Sequence, residues 1–555
     1  MKKMKWLNIC LAMLLIVAML AGCGSKPAKQ AEGTKPAATV AADTLASAPE
    51  QFPITEEKYE LRVMAMQDPT VEDIETNEFT VDYEKMSNIH VKWEMVPSKS
   101  APEKLNLVLG TAEDLPDVIM GMDISNEQIM SYGVDQGLLI DLTPYIEKYA
   151  PNVQKMLDYD PLIRKTVTAP DGGIYALPNF EDTLHVHHPQ KAWIYKPWLD
   201  KLGLEVPTNI EELEAVLTAF RDQDPNGNGK KDEIPFTGAI TGWMQIPVDY
   251  LMSAFIYSFQ SNRFNVDDEG NVSVPYNTPQ WREGLRFMHH LYEEGLLDSQ
   301  SLVQDTNQLK KTVMIEGENI IGCITSGAPT GFISTDHPRR PDWIALPPMA
   351  GVNGPTVTAT QNMEVNLGRF AITSACKDPA VALRWVDYFY SLEGGMRATC
   401  GVEGRDWRWA EDGEIGLNGE PGVYVKMLYF GTTQNSNWSK MAPNFKPTEV
   451  RNGLVDPRPD GEQYLYDITA QEYVEHAVKN TMRKVFFASE DVETVTESLY
   501  LLEEYVPEAY SKFIVGEWDI DDDAKWQAYL DTLESMGLSE LVQLYDEAYK
   551  AQYMN

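Results

Sequence analysis

Residues 89–120, IHVKWEMVPSKSAPEKLNLVLGTAEDLPDVIM, read as strand, helix and strand. Ile89, Val91, Trp93 and Met95 alternate with His90, Lys92 and Glu94, the period of a half-buried strand. Leu105 to Leu109 has helical character, and Pro116 to Met120 is a short apolar run. Strand, helix, strand in that order favours a parallel sheet, so the expected fold class is α/β. Working outward, GLLIDLTP (137–144) and PDGGIYALP (170–178) follow, and then WIYKPWLDKLGL (193–204). Thr208 or Asn209 can cap a helix whose apolar face is Leu213, Val216, Leu217 and Phe220.

That helix runs into DPNGNGKKDEIP (224–235). Oxygen donors stand at alternate positions Asp224, Asn226 and Asn228, Gly229 permits a sharp bend, and Asp232 and Glu233 close the loop. Lys230 supplies a backbone carbonyl. Calcium takes six to eight oxygens at roughly 2.3–2.6 Å, and this spacing can wrap it. Pro235 stands where an EF-hand has its bidentate Glu, and Glu233 is the substitute. Because the loop uses all its donors, such an ion would be structural. The alternative is a solvated turn, for which Asp, Asn and Gly are the ordinary residues.

A chain of 555 residues exceeds one hydrophobic core. Its 84 acidic against 46 basic residues give a formal charge of −38, which repels phosphate backbones and speaks against nucleic-acid binding. Lys2, Lys3 and Lys5, then the apolar run Leu7 to Leu20, then Leu20-Ala21-Gly22-Cys23 resemble a bacterial lipoprotein signal over 1–23, with Cys23 as the lipidated residue. Residues 24–50 have few large apolar side chains and read as a disordered tether. Expected localisation is the outer face of the bacterial cell membrane. Cys323, Cys376 and Cys400 allow one disulfide at most, and buried free thiols are the default. The C-terminal stripes Trp526, Tyr529, Leu530, Leu533 and Leu541, Val542, Tyr545, Ala548, Tyr549, broken at Gly537, read as two helices.

In order along the chain, the lipobox, GTAEDLPD, GLLIDLTP, DGGIYALP, WLDKLGLEVPT, the 224–235 loop, LPPMAG (346–351) and GVEGRDW (401–407) resemble the solute-binding lipoproteins of ABC sugar importers, particularly the calcium-loop subgroup that includes alginate-oligosaccharide binders. The resemblance implies a periplasmic-binding-protein-like type II fold of two α/β lobes joined by crossing segments, with a helical C-terminus. It places 51–182 plus 366–400 in lobe one and 183–365 plus 401–555 in lobe two, with the calcium loop at 224–233. It also implies an oligosaccharide ligand, an ABC permease partner, no catalysis and a monomer.

Sugar rings need flat aromatic surfaces and polar partners. The candidates in irregular segments are Trp193, Tyr195, Trp243, Trp407, Trp409 and Trp438, with Glu403 and Arg405; the family pattern carries Glu403 and Trp407 to the cleft. Trp385 and Trp526 fall on helical stripes and read as core. HVHH (185–188) puts His185 and His187 on one face if it is a strand, but no acidic or Cys partner is close in sequence, so cleft-edge polar residues are favoured over zinc. Arg339 and Arg340 could also pair a sugar carboxylate. A secreted carbohydrate-active hydrolase or lyase, or a binder of peptides or another solute, remain alternatives.

Overall fold

The 89–120 stretch folds as read. The computed structural model describes residues 44–259, 263–351, 357–361, 365–429, 431–458 and 461–554, so Cys23 and the signal segment lie outside the described residues. Strands are numbered in chain order. β1 (Tyr59–Gln67) pairs in parallel with β2 (Ile89–Pro97), Tyr59 opposite Ile89, and with β3 (Val118–Met120), Val63 opposite Val118. With β4 (Leu177–Glu181), β11 (Val365–Ile372) and β14 (Phe445–Lys446) they form a six-stranded sheet in the order β14-β4-β11-β3-β1-β2. β11 runs antiparallel to both β3 and β4, so β1, β3 and β4 all end at one edge.

A second sheet has the order β10-β5-β9-β6, from β5 (Ala192–Tyr195), β6 (Ile234–Thr237), β9 (Ile321–Thr325) and β10 (Trp343–Leu346). β6 and β9 are parallel, and β5 opposes β9. β7 (Asn265–Val266) and β8 (Val272–Ser273) make a hairpin, while β12 (Trp407–Trp409), β13 (Tyr424–Lys426) and β15 (Leu454–Val455) make a third small sheet.

The helix Ile210–Asp222 is capped by Asn209, whose Oδ1 accepts from Glu212 N at 2.9 Å, and it buries Leu213, Val216, Leu217 and Phe220. Each such side chain contributes about 1.5–3 kcal/mol when fully buried. At the C-terminus, helices Asp523–Ser535 and Leu538–Tyr549 meet at Gly537, where φ is 85°. That left-handed turn is open to glycine without strain. Cys323, Cys376 and Cys400 are free and buried. No helix among the described residues is long and apolar enough to cross a membrane.

The chain passes between the two main sheets at 182–191, and again between the end of β10 at Leu346 and the start of β11 at Val365. A later passage differs from expectation. Residues assigned to the second lobe from 401 onward return first to the first sheet: Phe445 pairs with Phe180, and Trp438 packs on Trp385, Phe389 and Phe79 with ring centroids 4.7–5.8 Å apart. Only after β15 does the helix Glu462–Glu472 reach the second sheet, where the hydroxyl of Tyr473 donates to the Leu346 carbonyl. Burial of two indoles and two phenyl rings in one layer outweighs chain order here.

Candidate ligand cleft and cation loop

In open α/β sheets, ligands bind beyond the carboxyl ends of parallel strands. On the first sheet those ends lead to Asp68 after β1, Gly121–Asp123 after β3 and Glu181–Asp182 at β4. Thr70 N and Oγ1 both donate to Asp68 Oδ1, at 2.8 and 2.6 Å, and hold its pKa below the usual carboxylate value against the opposing effect of burial. Arg369 on β11 donates to Asp123 Oδ1 at 2.6 Å and to the Lys440 carbonyl at 2.5 Å.

Beside them lies an ionic belt. Arg451 Nε stands 3.1 Å from Glu181 Oε1 and its Nη2 2.7 Å from Glu462 Oε2; Lys446 stands 3.7 Å from Glu181, and His185 3.6 Å from Glu462. Arg451 and Lys446 are buried. Burial works against the charge on Glu462, but Arg451 and His185 prevail and bring its pKa to about 2. Desolvation pushes His185 down to about 4.

On the second sheet the corresponding edge is nearly neutral. Trp243 sits in the loop after β6 with its ring on Gly327, where a Cβ would come within 2.3 Å of the indole. Only glycine leaves room for that ring. Gly327 N donates to the Trp243 carbonyl at 3.1 Å, and the residue remains 40% exposed. Gln245 fixes the loop: its carbonyl accepts from Ala239 N and from Thr325 Oγ1, each at 2.8 Å, and its Nε2 donates to Gly331 O at 2.9 Å. Between the two edges, buried Lys191 donates to the His188 carbonyl and lies 4.6 Å from the Tyr473 ring centroid. Desolvation lowers its pKa to about 7.

Lys440 and Lys484 are both open to solvent, yet desolvation lowers both ammonium pKa values.

The sequence candidates divide. Trp243 and Trp409 are open, at 40% and 41%, and Glu403 is exposed. Arg405 is engaged by Asp406 at 2.9 Å and Glu78 at 3.1 Å. Trp193, Tyr195, Trp407 and Trp438 are buried: Trp193 Nε1 donates to Ser326 O at 2.8 Å, Trp407 Nε1 to Gly401 O at 3.0 Å, Trp438 Nε1 to Thr80 Oγ1 at 2.8 Å, and Tyr195 OH to Asp342 Oδ2 at 3.1 Å. Their polar atoms are satisfied internally, and packing claims their faces. Trp385 and Trp526 are core residues, as read.

Leu184–His187 is a one-turn helix, not a strand, so the three histidines diverge to Glu462, Asp182 and Thr360. Arg339 donates to the carbonyls of Val313, Ile315 and Gly317 and so serves the end of the helix Thr306–Val313. Arg340 is buried. Sequence reading missed Asp68, Asp123, Glu181, Arg369 and Lys440; for the first three, the usable signal was position at or just beyond the end of a strand.

The 224–233 loop lies between the helix Ile210–Asp222 and β6, about 13 Å of strand away from the Trp243 loop. Asp224, Gly227 and Gly229 take φ of 48°, 74° and 73°. Asp224 Oδ1 and Oδ2 accept from Asn228 N and Gly229 N, each at 3.1 Å, while the amides of Asn226 and Asn228 both donate to Asp232 at 3.0 Å. Glu233 Oε1 is buried without a partner, and burial beside Asp224 and Asp232 raises its pKa. A buried orphan carboxylate oxygen beside two further acids fits a cation. Among the described residues no three His, Cys, Asp or Glu side chains are placed to hold a metal on their own, so the amide and backbone oxygens are needed too.

Two α/β sheets facing one cleft, joined by crossing segments and followed by C-terminal helices, define a two-lobed binding protein of the periplasmic type II class. The model of the bacterial extracellular solute-binding protein family matches residues 65–396, and the chain belongs to that family. It is 28% identical to the fructooligosaccharide ABC transporter substrate-binding protein FusA of Streptococcus pneumoniae serotype 4, over 96% of each chain. It is also 22% identical to the lipoprotein LipO of Bacillus subtilis, over 84% of this chain and 85% of that one. The structure of FusA with kestose superposes with a TM-score of 0.76 at 26% identity, covering 89% of this chain and 99% of the other; an EF-hand mutant of FusA with fructo-nystose superposes equally well. The alginate-binding protein AlgQ2 without calcium ion shares the fold, with a TM-score of 0.68 at 22% identity over 89% and 99% of the two chains.

Proposed function

We propose that this protein is the lipid-anchored, extracytoplasmic substrate-binding component of an ABC importer, and that it captures an oligosaccharide between its two sheets and delivers it to the permease. The observation that carries this reading is the Trp243 ring, braced on Gly327 and open beyond it, in a loop that the buried Gln245 and Thr325 hold in place at a strand-end edge. A pyranose or furanose presents an apolar face to such a ring. Trp409, Glu403 and Arg405 on the third small sheet and its approach would extend the contact. The family membership and the FusA relative support the transporter role.

Binding here is a closure equilibrium, in which ligand contacts to both sheets favour the shut state. The crossing segment 182–191 is where such motion is absorbed. No bond is made or broken by the protein, which acts as a monomer. Cys23 carries the anchor and the tether ends short of Thr44, which with Leu45 is bonded to Asp378 of the folded body, so the segment expected over 24–50 is shorter than that.

We further assign calcium to the 224–233 loop, held by Asp224, Asn226, Asn228, Asp232 and Glu233 with the Lys230 carbonyl. Bound there, the ion supplies rigidity at the start of β6. Melting of the purified protein with a panel of neutral and acidic oligosaccharides, alongside product analysis, tests the main reading. Saturable stabilisation without glycan turnover is expected; stabilisation by amino acids or peptides alone, or release of cleaved products, overturns it.

A further inference from the structure

Gly327 lies two residues beyond β9, and its backbone is not left-handed, so conformation alone does not require a glycine there. Space does. The three atoms nearest to a Cβ built at 327 all belong to the indole of Trp243: Cε3 at 2.3 Å, Cζ3 at 2.4 Å and Cδ2 at 2.6 Å. An alanine could adopt this backbone, and only the ring excludes it.

The loop that carries the ring is itself set from both sides. Gly242 and Met244, which flank Trp243, take φ of 90° and 57°. Left-handed backbone is costly for a residue such as Met244, and burial holds it there: Met244 is 4% exposed and packs with Phe259 and Ala359. Gln245 is wholly buried; its Oε1 accepts from Thr306 Oγ1 at 2.8 Å and its Nε2 donates to Gly331 O at 2.9 Å. A Cβ at 242 would come within 2.4 Å of that Oε1. These contacts fix where the indole leaves the backbone, and Gly327 fixes where its face lies.

We propose that Gly327 is a positioning residue for the ligand: by leaving its side-chain place to the indole, it sets the plane of the Trp243 ring before a sugar arrives. This rests on the oligosaccharide reading above and adds to it a residue that acts on affinity wholly through Trp243. A ring already held in its binding orientation gives up less rotamer freedom on stacking than one the sugar must order, so the same contact area yields tighter binding.

The test is a double-mutant cycle on the full chain, read by titration calorimetry with kestose and by acrylamide quenching of the Trp243 fluorescence, taken as the difference from Trp243→Ala. Gly327→Ala should weaken kestose binding about tenfold and make the Trp243 ring more accessible to quencher, whereas in the Trp243→Ala background the same change should alter binding by less than about twofold. Because only the ring excludes a side chain at 327, the doubly substituted protein should fold even where Gly327→Ala alone does not. Unchanged affinity in Gly327→Ala, whatever its stability, a tenfold loss that persists without the Trp243 ring, or a double variant that fails to fold overturns the positioning role and leaves the oligosaccharide reading standing. Should kestose not bind, the glycan giving the largest shift in the melting panel takes its place; if none binds, the oligosaccharide reading falls and the positioning role falls with it.

Discussion

The strand-end edges of the two main sheets carry opposite chemistry. The first presents Asp68, Asp123, Glu181, Arg369 and Lys440, most of them already tied into ion pairs or hydrogen bonds. The second presents an indole on a glycine floor, with the amide of Gln245 and the hydroxyl of Thr325 buried behind it as braces. Charged groups fix orientation because their bonds are directional and costly to leave unmade. A flat ring contributes area while tolerating different sugars. On the proposed reading the contrast is a division of labour: one edge would read polarity and the other supply grip.

The sharpest way to break that division is to remove Arg451, which ties Glu181 on the first sheet to Glu462 on the helix that reaches the second. Arg451→Met should destabilise the protein by about 3–5 kcal/mol, since it strands two carboxylates against each other in a crowded site. Chemical denaturation measures it, and a change below about 1 kcal/mol would mean that the belt is screened by water.

Next is the brace behind the second edge. At calcium about 100-fold above its dissociation constant, chelation should cost about 2.7 kcal/mol of stability, seen as a fall in Tm, and Asp224→Ala should reproduce it. Unchanged melting in both experiments would leave the loop an ion-free turn.

Trp243→Ala should weaken oligosaccharide binding by about 2 kcal/mol, roughly thirtyfold, with little change in Tm because the ring is partly exposed. Calorimetry separates the two effects. A stability loss without an affinity loss would make Trp243 a packing residue and shift the grip elsewhere.

The smallest effect concerns Lys191, between the two edges. Its folded pKa of about 7 lies below its ordinary value of 10.5, so above pH 7 the unfolded chain retains a proton that the folded one releases. Stability should therefore rise with pH, by about 1 kcal/mol between pH 7 and 8, and Lys191→Met should flatten that slope. His185, lowered to about 4, acts in the same direction at acid pH: its contribution is lost as pH falls from about 6.5 to 4.

Periodicity made the α/β frame legible. The 89–120 stretch, the Asn209-capped helix and the break at Gly537 all follow from local rules that tertiary packing does not oppose. The 224–233 loop could be read as a unit because its oxygen donors are contiguous. The strand-end edge could not, since it is assembled from positions as distant as Asp68 and Lys440, and an exposed indole and a buried one look alike in sequence. Trp438 stands in a polar run, NSNW, that suggests a binding loop, yet Phe79, Trp385 and Phe389 close around it. The spacing of HVHH fits a strand, but the crossing segment turns there into a single helical turn, and the three imidazoles separate.

The most direct measurement is a crystal structure of the protein with a bound oligosaccharide. A sugar ring stacked on Trp243, with hydroxyl oxygens bonded at the Asp123–Arg369–Lys440 edge, is the predicted result. A sugar held anywhere other than between the two sheets, or seated there with Trp243 untouched, would contradict the account.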